Sequence, residues 1–136
     1  MYNLFISHSW SYSDTYLKLC ELLDKASYFN YRNYSVPKDD PLRISAKTDR
    51  YYDLQLRRKL EDQMKYASVV LILAGVYASY SDSINMEISI AKELGKPIIA
   101  IEPWGSEKAS AIVKNSAHRI VSWSTVSIVS AIKELV

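Results

Sequence analysis

Glu87 is the residue of this 136-residue chain whose chemical type conflicts most with its position. When residues 83–95 are wound as a helix at about 100° per residue, Glu87 falls in the middle of the apolar face. An ionised carboxylate is costly to bury unless it is paired. Two interpretations compete: a structural ion pair with an arginine or lysine of the core, or a carboxylate at a cleft that handles a substrate. The apolar positions on that face are Ile84, Met86, Ile88, Ile90, Ala91 and Leu94.

The rest of the chain alternates short apolar segments with amphipathic ones. The segment 68–74 (SVVLILA) is apolar without alternation, which is typical of a central strand in a parallel sheet. The pattern predicts one domain with an α/β, flavodoxin-like three-layer α/β/α fold and a five-stranded parallel sheet. Strands are predicted at 2–7, 31–36, 68–74, 98–101 and 119–122, and helices at 15–26, 54–64, 83–95, within 103–114 and at 125–136.

Three polar segments follow the first three predicted strands, at 7–10, 37–53 and 75–82. The segment 37–53 is broken twice by proline, and a loop of that length in a compact domain is usually functional or disordered. In a parallel sheet, ligands bind at the carboxyl ends of the strands. We therefore expect all three segments to border one cleft, with Glu87 close to it.

Composition excludes several classes of protein. Apolar residues make up 49% of the chain and charged residues 24%, which is typical of a soluble globular protein. A formal net charge of +2 gives no electrostatic footprint for nucleic acid. The longest apolar run is too short for a membrane span, and no export signal is visible, so we expect a cytoplasmic protein. No nucleotide-binding glycine motif, CxxC pair or HExxH motif occurs, so we expect neither a metal nor a bound cofactor.

Three segments together resemble the TIR (Toll/interleukin-1 receptor) domain, and in particular the compact bacterial TIR-like proteins of anti-phage systems such as Thoeris. They are LFISHS at 4–9 with Asp14 at the following helix, SVVLILAGVYASYSDS at 68–83, and INMEISIAKELGKPIIAI at 84–101. One position departs from the family pattern: many members carry a tryptophan four residues before the glutamate, where this chain has Ser83.

The resemblance implies an enzymatic role for Glu87. In the enzymatic branch of the family, the corresponding glutamate is catalytic for breaking the bond between nicotinamide and ribose in NAD. The reaction needs negative charge beside an oxocarbenium-like ribose rather than an acid at the leaving group. The product stays open among ADP-ribose, a cyclic isomer and a conjugate, although the Thoeris resemblance favours a signal that activates a separate effector. NAD would be a substrate, and no cofactor is implied.

The same resemblance suggests substrate contacts near the predicted strand ends, each with a structural alternative. Ser7 and His8 would contact ribose or phosphate, or they would only close a polar turn. Trp10 would wall the base or cover the core. The remaining candidates are Arg43 and Lys47, which would meet the pyrophosphate or remain solvated, and Tyr80, which would line the pocket.

Two other functions compete with the enzyme. The first is a non-catalytic TIR-like scaffold that signals by self-association or by recruiting partners, with Glu87 in a structural ion pair. The second is a phosphoacceptor domain, which needs acidic residues at the first and third strand ends, where this chain has Ser7 and residues 74–75. We expect the isolated enzyme to have low basal activity and to be activated by assembly or by a phage-derived trigger.

Overall fold

A computed structural model of the chain describes residues 1–7, 14–35, 50–73, 77–102 and 111–136. Strands and helices alternate along these residues. The strands are β1 (Tyr2–Ile6), β2 (Tyr31–Asn33), β3 (Val69–Leu73), β4 (Ile98–Glu102) and β5 (Arg119–Ser122). The helices are α1 (Asp14–Lys25), α2 (Arg50–Met64), α3 (Tyr77–Glu93), α4 (Ala111–Ser116) and α5 (Thr125–Leu135).

The strands of the described residues form one parallel sheet in the order β2-β1-β3-β4-β5. Parallel neighbours require crossover connections, and the helices supply them. This strand order is that of flavodoxin-like folds. The predicted fold class, a three-layer α/β/α arrangement around a five-stranded parallel sheet, is therefore confirmed.

Alternation along the strands divides the core into two layers. Phe5, Val70 and Ala100 face the side covered by α2, α3 and α4, which we call the α3 face. Their neighbours Leu4 and Leu71 face the opposite side, which α1 and α5 cover. The central strand β3 is buried along its whole length, as its continuous apolar sequence predicts.

The helix that carries Glu87 begins earlier than predicted. The sequence places its start at Ser83, but α3 already begins at Tyr77 and includes most of the segment 75–82 that we predicted as a loop. No glycine or proline occurs between Gly75 and Gly95, so nothing in the backbone stops the helix there. The serines of this segment suggested a loop because serine favours caps and turns, and that preference is weak.

The end of α3 is determined by Gly95. Its φ is +68°, in the left-handed region that glycine adopts without steric cost. The Gly95 N–H donates to the Lys92 carbonyl at 3.2 Å, and the Lys96 N–H donates to the Ala91 carbonyl at 2.8 Å. This pair of hydrogen bonds is the Schellman motif, and it turns the chain directly into β4.

Other boundaries differ by a few residues. α2 begins at Arg50 and not after the predicted loop 37–53, whose residues 37–49 lie outside the described part of the chain. β2 ends at Asn33, three residues earlier than predicted, because it is an edge strand whose residues are partly exposed. Within the described residues, no helix combines the length and the apolar character that a membrane crossing requires.

Candidate functional site

Glu87 and Ser7 form a hydrogen-bonded pair inside the protein. The Ser7 hydroxyl donates to Glu87 Oε1 at 2.6 Å, and both residues are 0% exposed. Of the described residues, these two are the buried polar ones. We call them the Ser7–Glu87 pair. The two residues lie 80 positions apart in the sequence, so the contact depends entirely on the fold.

The sheet and α3 bring the pair together from opposite sides. Phe5 faces the α3 side of the sheet, and Ser7 follows it by two residues, so its side chain points the same way. The Ser7 N–H donates to the Leu71 carbonyl at 2.9 Å, which extends the β1–β3 ladder past the end of β1. Ser7 is therefore held at the carboxyl edge of the sheet, where the fold class predicts a ligand site.

Within α3, Glu87 lies on the same side as the core residues Ile84, Ile88 and Ala91. The sequence prediction that it occupies the buried face is confirmed, since its exposure is 0%. The hydroxyl of Ser7 satisfies one carboxylate oxygen without adding a positive charge.

The ion pairs seen between described residues are on the surface. Arg57 contacts Glu61 at 2.9 Å and Glu93 at 2.7 Å, and it thereby links α2 to the end of α3. Exposed pairs of this kind contribute little to stability. Neither of these ion pairs involves Glu87. The structural interpretation, in which an arginine or lysine of the core pairs with Glu87, stays a prediction.

Most of the predicted substrate contacts lie outside the described residues. This applies to His8, Trp10, Arg43 and Lys47. Tyr80 belongs to α3, but its side chain is also outside the described part. Of the candidates, only Ser7 and Glu87 are therefore described with their side chains, and the structure brings these two into direct contact.

Ser83 is a polar residue near Glu87 that the sequence analysis did not select as a candidate. Its hydroxyl oxygen is buried and has no hydrogen-bond partner among the described residues. Ser83 precedes Glu87 by four residues in α3, so the two share one side of the helix. That spacing was the available signal in the sequence, but the missing hydrogen-bond partner is visible only in the packed structure.

A second polar cluster lies at the sheet edge, between α1 and β2. Its members are Tyr16, Cys20, Tyr31, Asn33 and Ser35, which we call the edge network. The Asn33 amide donates to the Tyr16 hydroxyl at 2.7 Å, and its oxygen accepts from the Ser35 N–H at 3.0 Å. The Tyr16 and Ser35 hydroxyls are hydrogen-bonded at 2.9 Å. The network therefore attaches the short edge strand to α1.

Burial changes the acid–base properties of the edge network. It raises the pKa of the Cys20 thiol, and it also raises the pKa of the Tyr16 phenol. The pKa of Tyr31 is raised most strongly, first by burial and then by the hydrogen bond that its hydroxyl donates to Asp24. These groups are therefore protonated at neutral pH, and Cys20 is a poor nucleophile there.

His118 has a defined hydrogen-bonding role at the other end of the sheet. The Ile98 N–H donates to His118 Nδ1 at 3.1 Å, while the His118 N–H donates to the Ile98 carbonyl at 2.7 Å. His118 thereby joins the starts of β4 and β5, at the amino end of the strands, whereas Ser7 lies at their carboxyl end. Among the described residues, no group of three or more His, Cys, Asp or Glu side chains could hold a metal ion.

Comparison with known families gives one match, which covers most of the chain. The family model described as "Thoeris protein ThsB, TIR-like domain" matches residues 5–108. The chain belongs to this ThsB TIR-like family. The matched region runs from the end of β1 through β4 and contains both members of the Ser7–Glu87 pair. No curated protein matches the chain.

Membership in the ThsB TIR-like family confirms the resemblance on which the sequence analysis relied. It makes the chain a TIR-like protein of the Thoeris defence type. The buried carboxylate lies inside the matched region, on the helix that follows β3.

Proposed function

We propose that the protein is an NAD-cleaving enzyme of anti-phage defence, of the NAD glycohydrolase or ADP-ribosyl cyclase type, in which Glu87 is the catalytic residue. The observation that carries this proposal is the buried carboxylate of Glu87, held by the Ser7 hydroxyl at the carboxyl edge of the sheet. Natural cores rarely retain such a charge without a function, because burying it is costly. Membership in the Thoeris TIR-like family supports the choice of NAD as substrate.

The chemistry requires little more than a positioned negative charge. The bond between C1′ of the ribose and the nicotinamide nitrogen breaks, and its electron pair neutralises the pyridinium ring. The ribose then develops oxocarbenium character, which the Glu87 carboxylate stabilises electrostatically. A nucleophile completes the reaction at C1′ and loses its proton. Water gives ADP-ribose, and an atom of the same molecule gives a cyclic isomer.

Ser7 is a positioning residue in this proposal. Its hydroxyl donates to Oε1 and thereby limits rotation of the carboxylate, while its backbone is held by the sheet. A preoriented charge stabilises a transition state better than one that must reorganise during the reaction. His8, Trp10, Arg43, Lys47 and Tyr80 complete the proposed substrate site.

The complete shielding of Glu87 supports low activity in the resting state. A carboxylate that is 0% exposed cannot touch a ribose until the groups that cover it move. We therefore propose that the protein is cytoplasmic, that self-association or a phage-derived trigger opens the site, and that the product signals to a separate effector. The alternative is a non-catalytic scaffold that acts through self-association alone.

The test is an NAD turnover assay at high protein concentration, with products resolved by chromatography and mass spectrometry. Wild-type protein should release nicotinamide together with a linear or cyclic ADP-ribose product. Glu87→Gln keeps the shape and the oxygen that accepts from Ser7 but removes the charge, so turnover should fall by at least about 100-fold. Glu93→Gln, an exposed change on the same helix, is the matched control and should retain activity.

Three results would contradict the enzyme. Glu87→Gln protein with full NAD turnover would remove the catalytic role. A wild-type protein that fails to cleave NAD even in lysate from phage-infected cells, yet assembles there, would favour the scaffold. A large loss of stability in Glu87→Gln without any measurable turnover would support the structural ion pair.

A further inference from the structure

The hydroxyl of Ser83 is the unexplained polar group nearest in sequence to Glu87 on the same side of α3. Its oxygen is buried and has no hydrogen-bond partner among the described residues. Buried hydroxyls in native proteins are nearly always hydrogen-bonded, and each exception calls for an explanation. A serine in a helix can also satisfy itself on a carbonyl of the preceding turn, and Ser83 does not do so.

The position of Ser83 relative to Glu87 follows from helix geometry. Side chains four residues apart lie one above the other, about 6 Å apart at their Cβ atoms. Helical side chains lean toward the N-terminus, so the longer side chain of Glu87 extends toward the turn that carries Ser83. No hydrogen bond joins the Ser83 hydroxyl to the Glu87 carboxylate. A small polar group between them could contact both.

We propose that Ser83 is a substrate-binding residue whose hydroxyl hydrogen-bonds a ribose hydroxyl of the substrate that Glu87 acts on. The inference rests on the proposed function, and it adds a residue and a specific contact to it. Ser83 thereby orients the sugar against the carboxylate.

The chemistry of the two groups explains why a sugar hydroxyl fits. A carboxylate only accepts hydrogen bonds, whereas a serine hydroxyl both donates and accepts. The vicinal hydroxyls of a ribose can donate one hydrogen bond to Glu87 and exchange another with Ser83. The binding of substrate would then satisfy the hydroxyl that is left without a partner in the free protein, and a sugar that lacks the contacted hydroxyl would leave it unsatisfied.

A purely structural serine would lower the Tm when it is replaced and would leave substrate binding unchanged, whereas the proposed role predicts the reverse. Removal of an unpartnered buried hydroxyl should leave the protein as stable as before or slightly more stable, because no hydrogen bond is lost. Ser83→Ala should therefore fold, with a Tm equal to or slightly above that of the wild type. The loss of the Ser83 hydroxyl should therefore change substrate binding and turnover and leave the stability of the free protein intact.

The experiment compares wild type, Ser83→Ala and Ser89→Ala, the last an exposed serine on the opposite side of α3. Each is assayed with NAD and with NAD analogues that lack the 2′- or 3′-hydroxyl of the nicotinamide ribose. Ser83→Ala should lower kcat/KM for NAD about tenfold, the value of one hydrogen bond, while Ser89→Ala matches the wild type. With the analogue that lacks the contacted hydroxyl, Ser83→Ala and wild type should become equal.

Calorimetric titration of NAD into Glu87→Gln and into the double variant Glu87→Gln/Ser83→Ala separates this inference from the proposed function. A roughly tenfold weaker Kd in the double variant supports the contact, whether or not the wild type turns NAD over. Equal Kd values and equal kcat/KM values for Ser83→Ala and Ser89→Ala overturn the inference and leave the NAD-cleaving function intact. A wild type that does not bind NAD and does not cleave it even in lysate from phage-infected cells overturns both.

Discussion

The Ser7–Glu87 pair and the edge network are both clusters of polar side chains, but their surroundings differ. The pair consists of one hydroxyl and one carboxylate, each 0% exposed, at the end of the α3 face. The edge network spreads over neutral groups that are partly exposed, with Asp24 at its surface end. Water can therefore replace a lost partner in the edge network and cannot do so at the pair.

The two clusters also differ in what they contribute to the architecture. The hydrogen bonds of the edge network hold β2 against α1, and this role accounts for its residues. No comparable element depends on the Ser7–Glu87 pair, because β1 is already joined to β3 through its backbone and α3 is already packed through isoleucines. A buried carboxylate at that place is consistent with the proposed catalytic role.

Of the changes that compare the two clusters, Ser7→Ala should cost the most stability. The change leaves a buried carboxylate without one of its hydrogen bonds, so the free energy of unfolding should fall by about 1–3 kcal/mol. Urea unfolding measures this loss. NAD turnover should fall by about tenfold or more at the same time, because Glu87 loses its orientation. The Ser7→Cys variant retains a weak hydrogen-bond donor, so it should lose less stability and less NAD turnover than Ser7→Ala.

A smaller effect is expected for Asn33→Ala in the edge network. The variant loses the hydrogen bonds to Tyr16 and Ser35, but water reaches the partners that remain, so the cost should be about 1 kcal/mol. NAD turnover should be unchanged. If Asn33→Ala reduces turnover as much as Ser7→Ala does, the two clusters are not functionally distinct.

Alkaline pH should weaken the edge network selectively. The folded protein raises the pKa of Cys20 above 9.0 and the pKa of Tyr31 above 10.0, so it retains protons that the unfolded chain releases. This contribution to stability is fully present at neutral pH and falls as the pH rises above about 9. Urea unfolding between pH 7 and about pH 10.5 should show the decline. Cys20→Ala and Tyr31→Phe should each reduce its slope, and an unchanged slope in both would contradict the assignment.

The smallest effect is expected at Tyr28, in the turn that leads to the edge strand. Its φ is +56°, a left-handed conformation that is strained for a bulky residue, and its side chain is 97% exposed. Tyr28→Gly should relieve the strain and stabilise the protein by about 0.5 kcal/mol, after the entropy that glycine adds to the unfolded chain. Ser27→Gly, at the preceding residue where φ is not positive, should instead destabilise it.

The sequence patterns predicted which helices and strands are present more accurately than the residues at which they begin and end. The start of α3 was misplaced because the serines at 79 and 81 suggested a loop, whereas the helix extends back to Tyr77. β2 was predicted too long because its aromatic residues favour strands, but an edge strand lacks a second neighbour to extend its pairing. The end of α3 was predicted well, since Gly95 has a backbone requirement of its own.

The candidate site could be predicted only in part. Glu87 was identified because a charge on an apolar helical face is visible in one segment of sequence. Ser7 was selected for its place after the first strand, but its contact with Glu87 was not foreseen. Ser83 was passed over because an unpartnered hydroxyl is a property of the packed structure and not of the sequence.

Strand and helix periodicities are local, so the parallel α/β fold and the buried face of α3 could be predicted without knowledge of the packing, and the resemblance of three segments indicated the family. Only the tertiary structure decided that the carboxylate of Glu87 accepts from Ser7, 80 residues away. That contact depends on the register of β1 against β3 and on how α3 lies over the sheet. A shift of one residue in that register would turn Ser7 to the opposite face.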